Sequence, residues 1–564
     1  MSAGDVTYSE NQSSGDSSGT LLYQLEQRLE RVGEWLNPIL VKEVRQALKS
    51  RMFVVVFALM LIFGWGWSIF GVLLVLSPGV YYNPGGPTML CGYYFVLAVP
   101  LIVAVPLMTF WSLAGERDDG TFELVSITLL TARQIVTGKL GSAIVQMIVF
   151  SSALSPCIAF TYLLRGIDII TVFWVLGWTV LISVLLSFSA ICFATISRSV
   201  IWQVFLSVVL VLAFLIAGFT WSSVVVQTLF YGSLPVETGE FWVMNLFVMM
   251  MYLSFCLLFT LAAAGKLSFP SDNRSTKIRY AMIIQQLLWI GWMIALVLEY
   301  RDPVVFLLFT SFAGVYWLIM GALLSGESPQ LSPRARRDLP QSFLGRMVGT
   351  WFNPGSGTGY IFAVTSFFSF ILVTTFFEIT IAVGDGINWN QSRGFDNRLM
   401  FAGLAWAYLT TYLGSGRLIL LFLRKFYQVG IVASLLVQAI LLVLGILLSA
   451  SAQVLVNGFQ NNDYTALQLG NWAWTLAEVS DSRSGLPLEV PILIFASAGL
   501  VFFVNVCLSL AEIKAVREAT PDRVIQEEKE LHPERFTEKR EPANPWSDDP
   551  SADSGMEKPS SPEG

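Results

Sequence analysis

Charged residues are scarce along this chain. Only 13% of its 564 residues are Asp, Glu, Lys or Arg, whereas 54% are hydrophobic and the mean hydropathy is +0.63. Soluble domains carry about 25% charged residues. The shortage therefore excludes an ordinary soluble domain and indicates an integral membrane protein. The net charge of −6 does not conflict with this, because much of the acid lies in a polar C-terminal tail.

Histidine and paired cysteines are also lacking. The single histidine is His532, in the tail, which excludes a Ser-His-Asp triad, a His-ligated zinc and a histidine proton relay from the membrane region. We therefore predict no catalytic residue and no metal site. The cysteines form no CxxC pair and mostly lie in apolar runs, where we expect buried free thiols; they are Cys91, Cys157, Cys192, Cys256 and Cys507.

A phosphate-binding loop is the third absence. No GxxxxGK[ST] motif occurs, since Gly138-Lys139 and Gly265-Lys266 are each followed by leucine and lack the upstream glycine. We expect the chain to bind no ATP or other cofactor itself, and we predict no nucleic acid partner. The first 50 residues also lack the basic start, apolar run and cleavage site of a signal peptide.

Long apolar runs are what the sequence has in abundance. A helix of about 20 apolar residues crosses a hydrocarbon core ~30 Å thick. The runs predict an all-α membrane protein, a polytopic bundle of about twelve transmembrane helices. The predicted spans are 52–77, 89–113, 141–164, 169–195, 200–226, 241–264, 281–299, 304–325, 359–384, 400–416, 427–452 and 490–511.

The distribution of basic residues orients these spans. Lys and Arg favour the cytoplasmic side of a membrane. With the N-terminus inside, only five of the 34 Lys and Arg fall in outer segments, and these are Arg165, Arg301, Arg393, Arg398 and Arg483. We therefore predict that both termini are cytoplasmic.

The chain then divides into five predicted regions. These are a disordered tail (1–20), an amphipathic interfacial helix region (21–51), a six-span half with a polar loop at 114–140 (52–266), a second six-span half (267–511), and a helix extension with a disordered tail (512–564). The last helix is expected to end before Pro521. The basic face of the interfacial helix suits the membrane surface, although a solvated helix packed on a partner remains open; its charged residues are Lys42, Glu43, Arg45, Lys49 and Arg51.

Three further features leave alternatives open. The outer segment 453–489 predicts either a small cap or vestibule, or ordinary interfacial packing of its aromatic residues. The inner loop 326–357 either anchors to anionic lipid or repeats the role of 114–140. Glu378 lies within the ninth predicted span, towards its outer end, and we favour a structural role for it over ion coupling.

The polar segment 115–140 is the strongest candidate for function. Thr121 and Glu123 suit a helix start, and Thr131 with Gln134 has the spacing of a capping box. The pattern predicts two short amphipathic helices on the cytoplasmic face, with Lys139 ending the segment near the membrane surface. Such a pair would dock on a soluble partner, and an ordinary folded inner loop is the alternative.

These residues carry a resemblance to a known family. The run from Glu116 to Leu124, followed by Arg133-Gln-Ile135 and Gly138-Lys139-Leu140, resembles the ER-x-x-GT-x-E-L…R-[EQ]-I…GK-L signature of ABC-2 type transporter permeases. The lead-in from Asn37 to Arg51 is similar to the amphipathic N-terminal segment of that family. The resemblance covers roughly residues 35–265. The chain departs from it in having twelve predicted spans where typical members have six.

The resemblance implies a permease subunit of an ABC transporter, an exporter whose ATP is bound by a separate cytoplasmic ABC ATPase. It implies a multi-pass protein that contacts lipid and works as a homodimer or as a fused pseudo-dimer. Short inner loops and the lack of an organelle signal favour the bacterial cytoplasmic (inner) membrane. The implied coupling residues are Glu116, Arg117, Gly120, Thr121, Glu123, Leu124, Arg133, Gly138 and Lys139. The alternatives are an ATP-independent secondary transporter and a membrane-embedded lipid-modifying enzyme.

Overall fold

The protein is helical throughout the part that the structure describes. The structure is a computed structural model, 88% helical with no strand among its described residues. These residues are 38–75, 84–118, 131–196, 200–232, 234–269, 272–300, 302–328, 342, 345, 348–384, 393–427, 429–457, 464–480, 486–517 and 522–533.

A short helix precedes a series of long ones. The helices are α1 (Pro38–Leu48), α2 (Arg51–Val75), α3 (Gly86–Ala98), α4 (Val105–Asp118), α5 (Ala132–Leu163), α6 (Ile169–Ala194), α7 (Val200–Phe230), α8 (Gly239–Leu267), α9 (Thr276–Tyr300), α10 (Pro303–Ser325), α11 (Ser356–Gly384), α12 (Arg393–Leu423), α13 (Ile431–Asn457), α14 (Trp472–Ser480), α15 (Glu489–Arg517) and α16 (Asp522–Leu531). A π-helical turn, Val99–Ala104, joins α3 to α4, so these two make one continuous rod.

Eleven of the described helices are long and apolar enough to cross a membrane, which confirms the polytopic all-α class. The predicted tenth span is the exception. Its helix, Arg393–Leu423, is longer than the predicted 400–416, but it does not meet the same standard of apolarity. The polar run from Thr410 to Arg417 lies within it. The number of twelve spans therefore stays a prediction.

The long helices alternate in direction between two ends of the bundle. At one end, which we call the proximal end, α4 finishes beside the C-terminus of α6, where the Arg117 guanidinium donates to the Thr195 carbonyl over 2.9 Å. At the opposite, distal end, α3 begins against the turn after α5, because a Cβ on Gly86 would lie only 2.4 Å from the Arg165 carbonyl oxygen.

The π-helical turn has a clear origin in proline. Pro100 and Pro106 lack the backbone N–H groups that an α-helix requires at these positions. One carbonyl of the turn, that of Leu101, accepts a hydrogen bond from the buried Ser183 hydroxyl of α6 instead. This hydrogen bond satisfies the Leu101 carbonyl and joins the π-helical turn to α6.

Two apolar cores lie side by side and share a seam. The first surrounds Met147 and Phe150, and the second surrounds Trp317 and Phe367. At the seam between α8 and the helices that follow it, the rings of Phe247 and Trp292 are 5.4 Å apart. The two halves of the chain are thereby in contact at α8 and α9.

The segment predicted as either a cap or aromatic packing lies at the distal end, where the rings of Tyr464 and Trp474 are 6.4 Å apart. Residues Ala466–Gly470 form a 3-10 turn and α14 follows it. The Tyr408 hydroxyl of α12 donates to the Leu469 carbonyl over 2.8 Å. Nearby, Glu378 forms a salt bridge with Arg398, which agrees with the structural role predicted for this acid.

The C-terminal region corrects one prediction. Helix α15 covers Glu489–Arg517, and α16 follows at Asp522–Leu531, where a disordered tail was predicted. The sequence DRVIQEEKEL is rich in good helix formers, and Arg523 pairs with Glu527 one turn later at 3.2 Å. The predicted tails at 1–20 and beyond 533 lie outside the described residues.

The alternation of the helices makes a topological prediction. In a variant whose native cysteines are replaced by alanine, single cysteines at Arg133 (proximal, exposed) and at Leu488 (distal, 79% exposed) should react with a membrane-impermeant maleimide from opposite sides of the membrane. Labelling of both from the same side would contradict the helix directions.

A buried ion-pair cluster beside the candidate coupling segment

The predicted coupling segment divides between the ends of two long helices. Glu116 and Arg117 lie on the last turn of α4. Arg133 and Lys139 lie on the first turns of α5, which continues without a break to Leu163. The prediction of a second short helix is therefore wrong. No proline separates these turns from the apolar run that follows, so they belong to the long helix α5. The first predicted short helix lies outside the described residues.

The start of α5 is fixed by the predicted capping box. The Thr131 hydroxyl accepts from the Gln134 backbone N–H over 3.3 Å, and the Gln134 side-chain oxygen accepts from the Thr131 N–H over 2.8 Å. Two amides of the first turn are thus satisfied by side chains. This sets the register that carries Lys139 to the inner face of the helix.

Lys139 lies at the centre of a buried ion-pair cluster. Its ammonium is 3.0 Å from a carboxylate oxygen of Glu43 and 2.9 Å from one of Glu116. It also donates to the Ser112 hydroxyl over 2.9 Å, and this hydroxyl donates to Glu43 over 3.1 Å. Only 2% of the Lys139 side chain is exposed, with 7% for Glu43 and 15% for Glu116. We call these four residues the Lys139 cluster.

Helix α1 enters the cluster from the side. It covers Pro38–Leu48 and is amphipathic, within the region 21–51 that the sequence predicts as an interfacial helix. It packs so closely on α5 that a Cβ on Gly141 would lie 2.6 Å from a methyl carbon of Leu40. Glu43 is directed inward, whereas Lys42 is exposed and reaches Glu116 over 3.2 Å. The other basic residues, Arg45, Lys49 and Arg51, are exposed.

Arg117 connects the end of α4, beside the Lys139 cluster, to α6. Its guanidinium donates to the carbonyls of Ala194 and Thr195, over 3.3 and 2.9 Å. A positive group at the C-terminus of a helix satisfies carbonyls that have no intrahelical partner and matches the helix dipole. The last turn of α4 is therefore tied to α1, α5 and α6 at once.

The predicted site residues separate into three groups. The structure brings together Lys42, Glu43, Glu116 and Lys139, with Arg117 adjacent. Five others lie outside the cluster: Gly138 is buried on α5, and Arg133, Arg45, Lys49 and Arg51 are exposed. The remaining predicted residues, Gly120, Thr121, Glu123 and Leu124, lie outside the described residues. Sequence reasoning missed Ser112, for which a serine at the end of an apolar run gives no distinctive signal.

A second buried network, centred on an arginine, lies at the proximal end among later helices. The Arg279 guanidinium of α9 is fully buried and is 2.8 Å from a carboxylate oxygen of Glu327. It also donates to the Trp351 carbonyl over 2.6 Å and to the Thr358 hydroxyl over 3.3 Å. The Phe362 ring lies 5.5 Å from it. The end of α10 and the start of α11 are thereby joined through α9.

A third network joins the next helices. The fully buried Arg417 of α12 donates to the Asn505 carbonyl over 3.0 Å and pairs with Glu512 of α15 at 3.4 Å. Glu512 in turn accepts from the Gly357 backbone N–H at the start of α11 over 2.6 Å. Charged residues inside Arg393–Leu423 and Glu489–Arg517 were the signal for this network, because such residues inside long apolar helices require partners.

In the part of the chain that the structure describes, no group of three or more His, Cys, Asp or Glu side chains could hold a metal ion. All five thiols are free. Comparison with protein families, curated proteins and solved structures finds no match to this chain.

The Lys139 cluster makes a prediction about stability. Replacing Lys139 by Met leaves Glu43 and Glu116 without their buried cation, with only the exposed Lys42 ammonium still close to them. Removing one partner of a buried ion pair costs about 3–5 kcal/mol, and the unfolding free energy in detergent should fall by this amount. The matched control is Lys49→Met at the exposed turn just after α1, which should change the unfolding free energy by less than ~0.5 kcal/mol.

Neutralising the carboxylates as well should recover part of the loss. The triple variant Glu43→Gln, Glu116→Gln and Lys139→Met leaves no uncompensated buried charge and should be more stable than Lys139→Met alone. If the single variant were as stable as the native protein, the cluster would not hold the three helices together.

Proposed function

We propose that the protein is the membrane-embedded permease subunit of an ABC exporter in a bacterial inner membrane, driven by a separate cytoplasmic ATPase. The observation that carries the proposal is the Lys139 cluster. It lies at the base of the 119–130 segment, and it joins the two helices that lead into and out of that segment. The family resemblance of the same residues, and the lack of a P-loop, supply the reason for a partner.

The cluster gives a route for mechanical coupling. Glu116 on α4 and Lys139 on α5 are held 2.9 Å apart, so the two helix ends move together when a partner displaces the segment between them. Helix α4 continues through the π-helical turn into α3, and α5 is 32 residues long. A displacement at the proximal end is therefore carried along both rods toward the distal end.

Transport then follows from a change in relative stability of two conformations. ATP binding and hydrolysis on the partner alternate the load on the proximal end. An inward-open and an outward-open state bind the substrate with different affinities, and the partner shifts the population between them. The permease supplies the path and performs no covalent chemistry.

The surface of α1 supports a membrane-surface position for this helix. Arg45 on α1, Lys49 just after it and Arg51 at the start of α2 are exposed, while Glu43 is buried in the cluster on the opposite side of α1. Each basic residue close to an anionic leaflet contributes about 1 kcal/mol of attraction. Lipid contact thus holds α1 in place while its inner face positions Lys139. The same charges agree with the basic residues predicted on the cytoplasmic side.

The partner can be identified by contact. A photo-reactive amino acid at Arg133, which is exposed on the first turn of α5, should cross-link to a cytoplasmic protein that contains a P-loop. The same amino acid at Tyr231, 85% exposed at the distal end, is the matched control and should give no such product. Cross-linking of an ATPase from neither position would remove the basis of the proposal.

The purified pair then tests the coupling. In proteoliposomes the permease should raise the ATP hydrolysis rate of this partner, and Glu116→Gln should reduce that stimulation at least several-fold because the two helix ends are no longer held by a charge pair. Glu240→Gln makes the same chemical change at an exposed distal site and should leave the stimulation intact. Equal stimulation by all three proteins would contradict the coupling role.

A further inference from the structure

The two halves of the chain pack their helices in the same way. We number the helices of the first unit α2, α3–α4, α5, α6, α7 and α8, and those of the second unit α9, α10, α11, α12, α13 and α15. In each unit the second helix packs against the first, third, fourth and fifth. The third also packs against the first, fourth and sixth, and the fourth against the fifth and sixth. No other pair of these helices within a unit makes an extended contact among the described residues.

The junction between the second and third helices is built alike in both units. In the first unit, the Lys139 ammonium joins Glu116 at the end of the second helix to Glu43, which precedes the first helix. In the second unit, Arg279 at the start of the first helix joins Glu327, just after the second helix, to the Trp351 carbonyl, just before the third. One buried cation thus connects the same three places, although it comes from a different helix.

The junction between the second and fourth helices is also repeated. In the first unit, Arg117 at the end of the second helix donates to the last carbonyls of the fourth, those of Ala194 and Thr195. In the second unit, Arg424 at the end of the fourth helix donates to the carbonyls of Ser325 and Glu327 at the end of the second, over 3.1 and 3.2 Å. The donor and the acceptor have exchanged helices, and the contact is the same.

The second unit also offers an exposed apolar surface at the matching position. Val348 is 54% exposed and Trp351 is 37% exposed. Both precede the third helix of their unit, as Arg133 lies at the start of the third helix of the first unit. The carbonyl of Trp351 is bound by Arg279, which fixes the backbone while the side chain remains accessible.

We infer that residues 276–517 are a second copy of the six-helix unit, and that the surface at Val348 and Trp351 binds a second ATPase subunit. The inference rests on the proposed function, since it takes the first surface as the place where one ATPase binds. It deepens that function by fixing the composition of the transporter at two ATPase subunits for each permease chain.

The stoichiometry of the purified complex tests the inference. The ATPase captured by cross-linking at Arg133 is purified and mixed in excess with the full-length permease, and the ratio of subunits per chain is measured by native mass spectrometry. The native chain should carry two ATPase subunits. The Arg133→Glu variant and the double variant Val348→Glu, Trp351→Ala should each carry one, and the combination of all three substitutions should carry none.

Each variant alters exposed side chains and keeps the buried arginine networks, so its thermal midpoint should match that of the native protein. A ratio of one ATPase per native chain, unchanged by Val348→Glu with Trp351→Ala, would overturn the inference and leave the proposed function in place. Failure of the native chain to bind any ATPase would overturn both.

Discussion

The Lys139 ammonium is buried, and much of the proximal architecture depends on the carboxylates that compensate it. A cation taken out of water costs several kcal/mol unless its hydrogen bonds are all made. Glu43, Glu116 and the Ser112 hydroxyl make them here, and each comes from a different part of the chain or a different turn. The surface helix α1 and the end of α4 are therefore positioned on α5 by one side chain.

The same constraint explains where the other charges lie. Burying an ionised side chain in a membrane interior is energetically costly. Such a side chain therefore lies at a helix end or pairs with a partner. Arg279 and Arg417 are fully buried, yet both reach carboxylates that belong to the proximal ends of neighbouring helices. Each network satisfies the helix ends around it, so the apolar middle of the bundle can pack through rings and aliphatic side chains, such as Trp317 against Phe362 at 5.7 Å. The proximal end is thus a polar layer in which ion pairs and hydrogen bonds join neighbouring helices.

Sequence reasoning predicts most of the fold, because apolar length alone determines where a membrane helix lies. It also predicts Lys42, Glu43, Glu116 and Lys139 as site residues, and the structure brings these side chains together. Three features were beyond it. The helix Ala132–Leu163 has polar first turns, which the sequence pattern assigned to a separate segment. The pairing of Lys139 with Glu43 joins residues 96 positions apart, which no local pattern indicates. The likeness of the two units appears only in helix packing, since the arginines that repeat a contact have changed helices.

The central claim is that a load applied beside Glu116 and Lys139 reaches the distal ends of the helices that carry them. Its most direct test is the distance between spin labels at Leu163 and Tyr231, exposed distal positions at the end of α5 and just after α7. In proteoliposomes that contain the partner ATPase, this distance distribution should shift between the nucleotide-free state and the state trapped with ATP, and Glu116→Gln should abolish the shift. Identical distributions in the two states, while the bound ATPase hydrolyses ATP, would contradict the account.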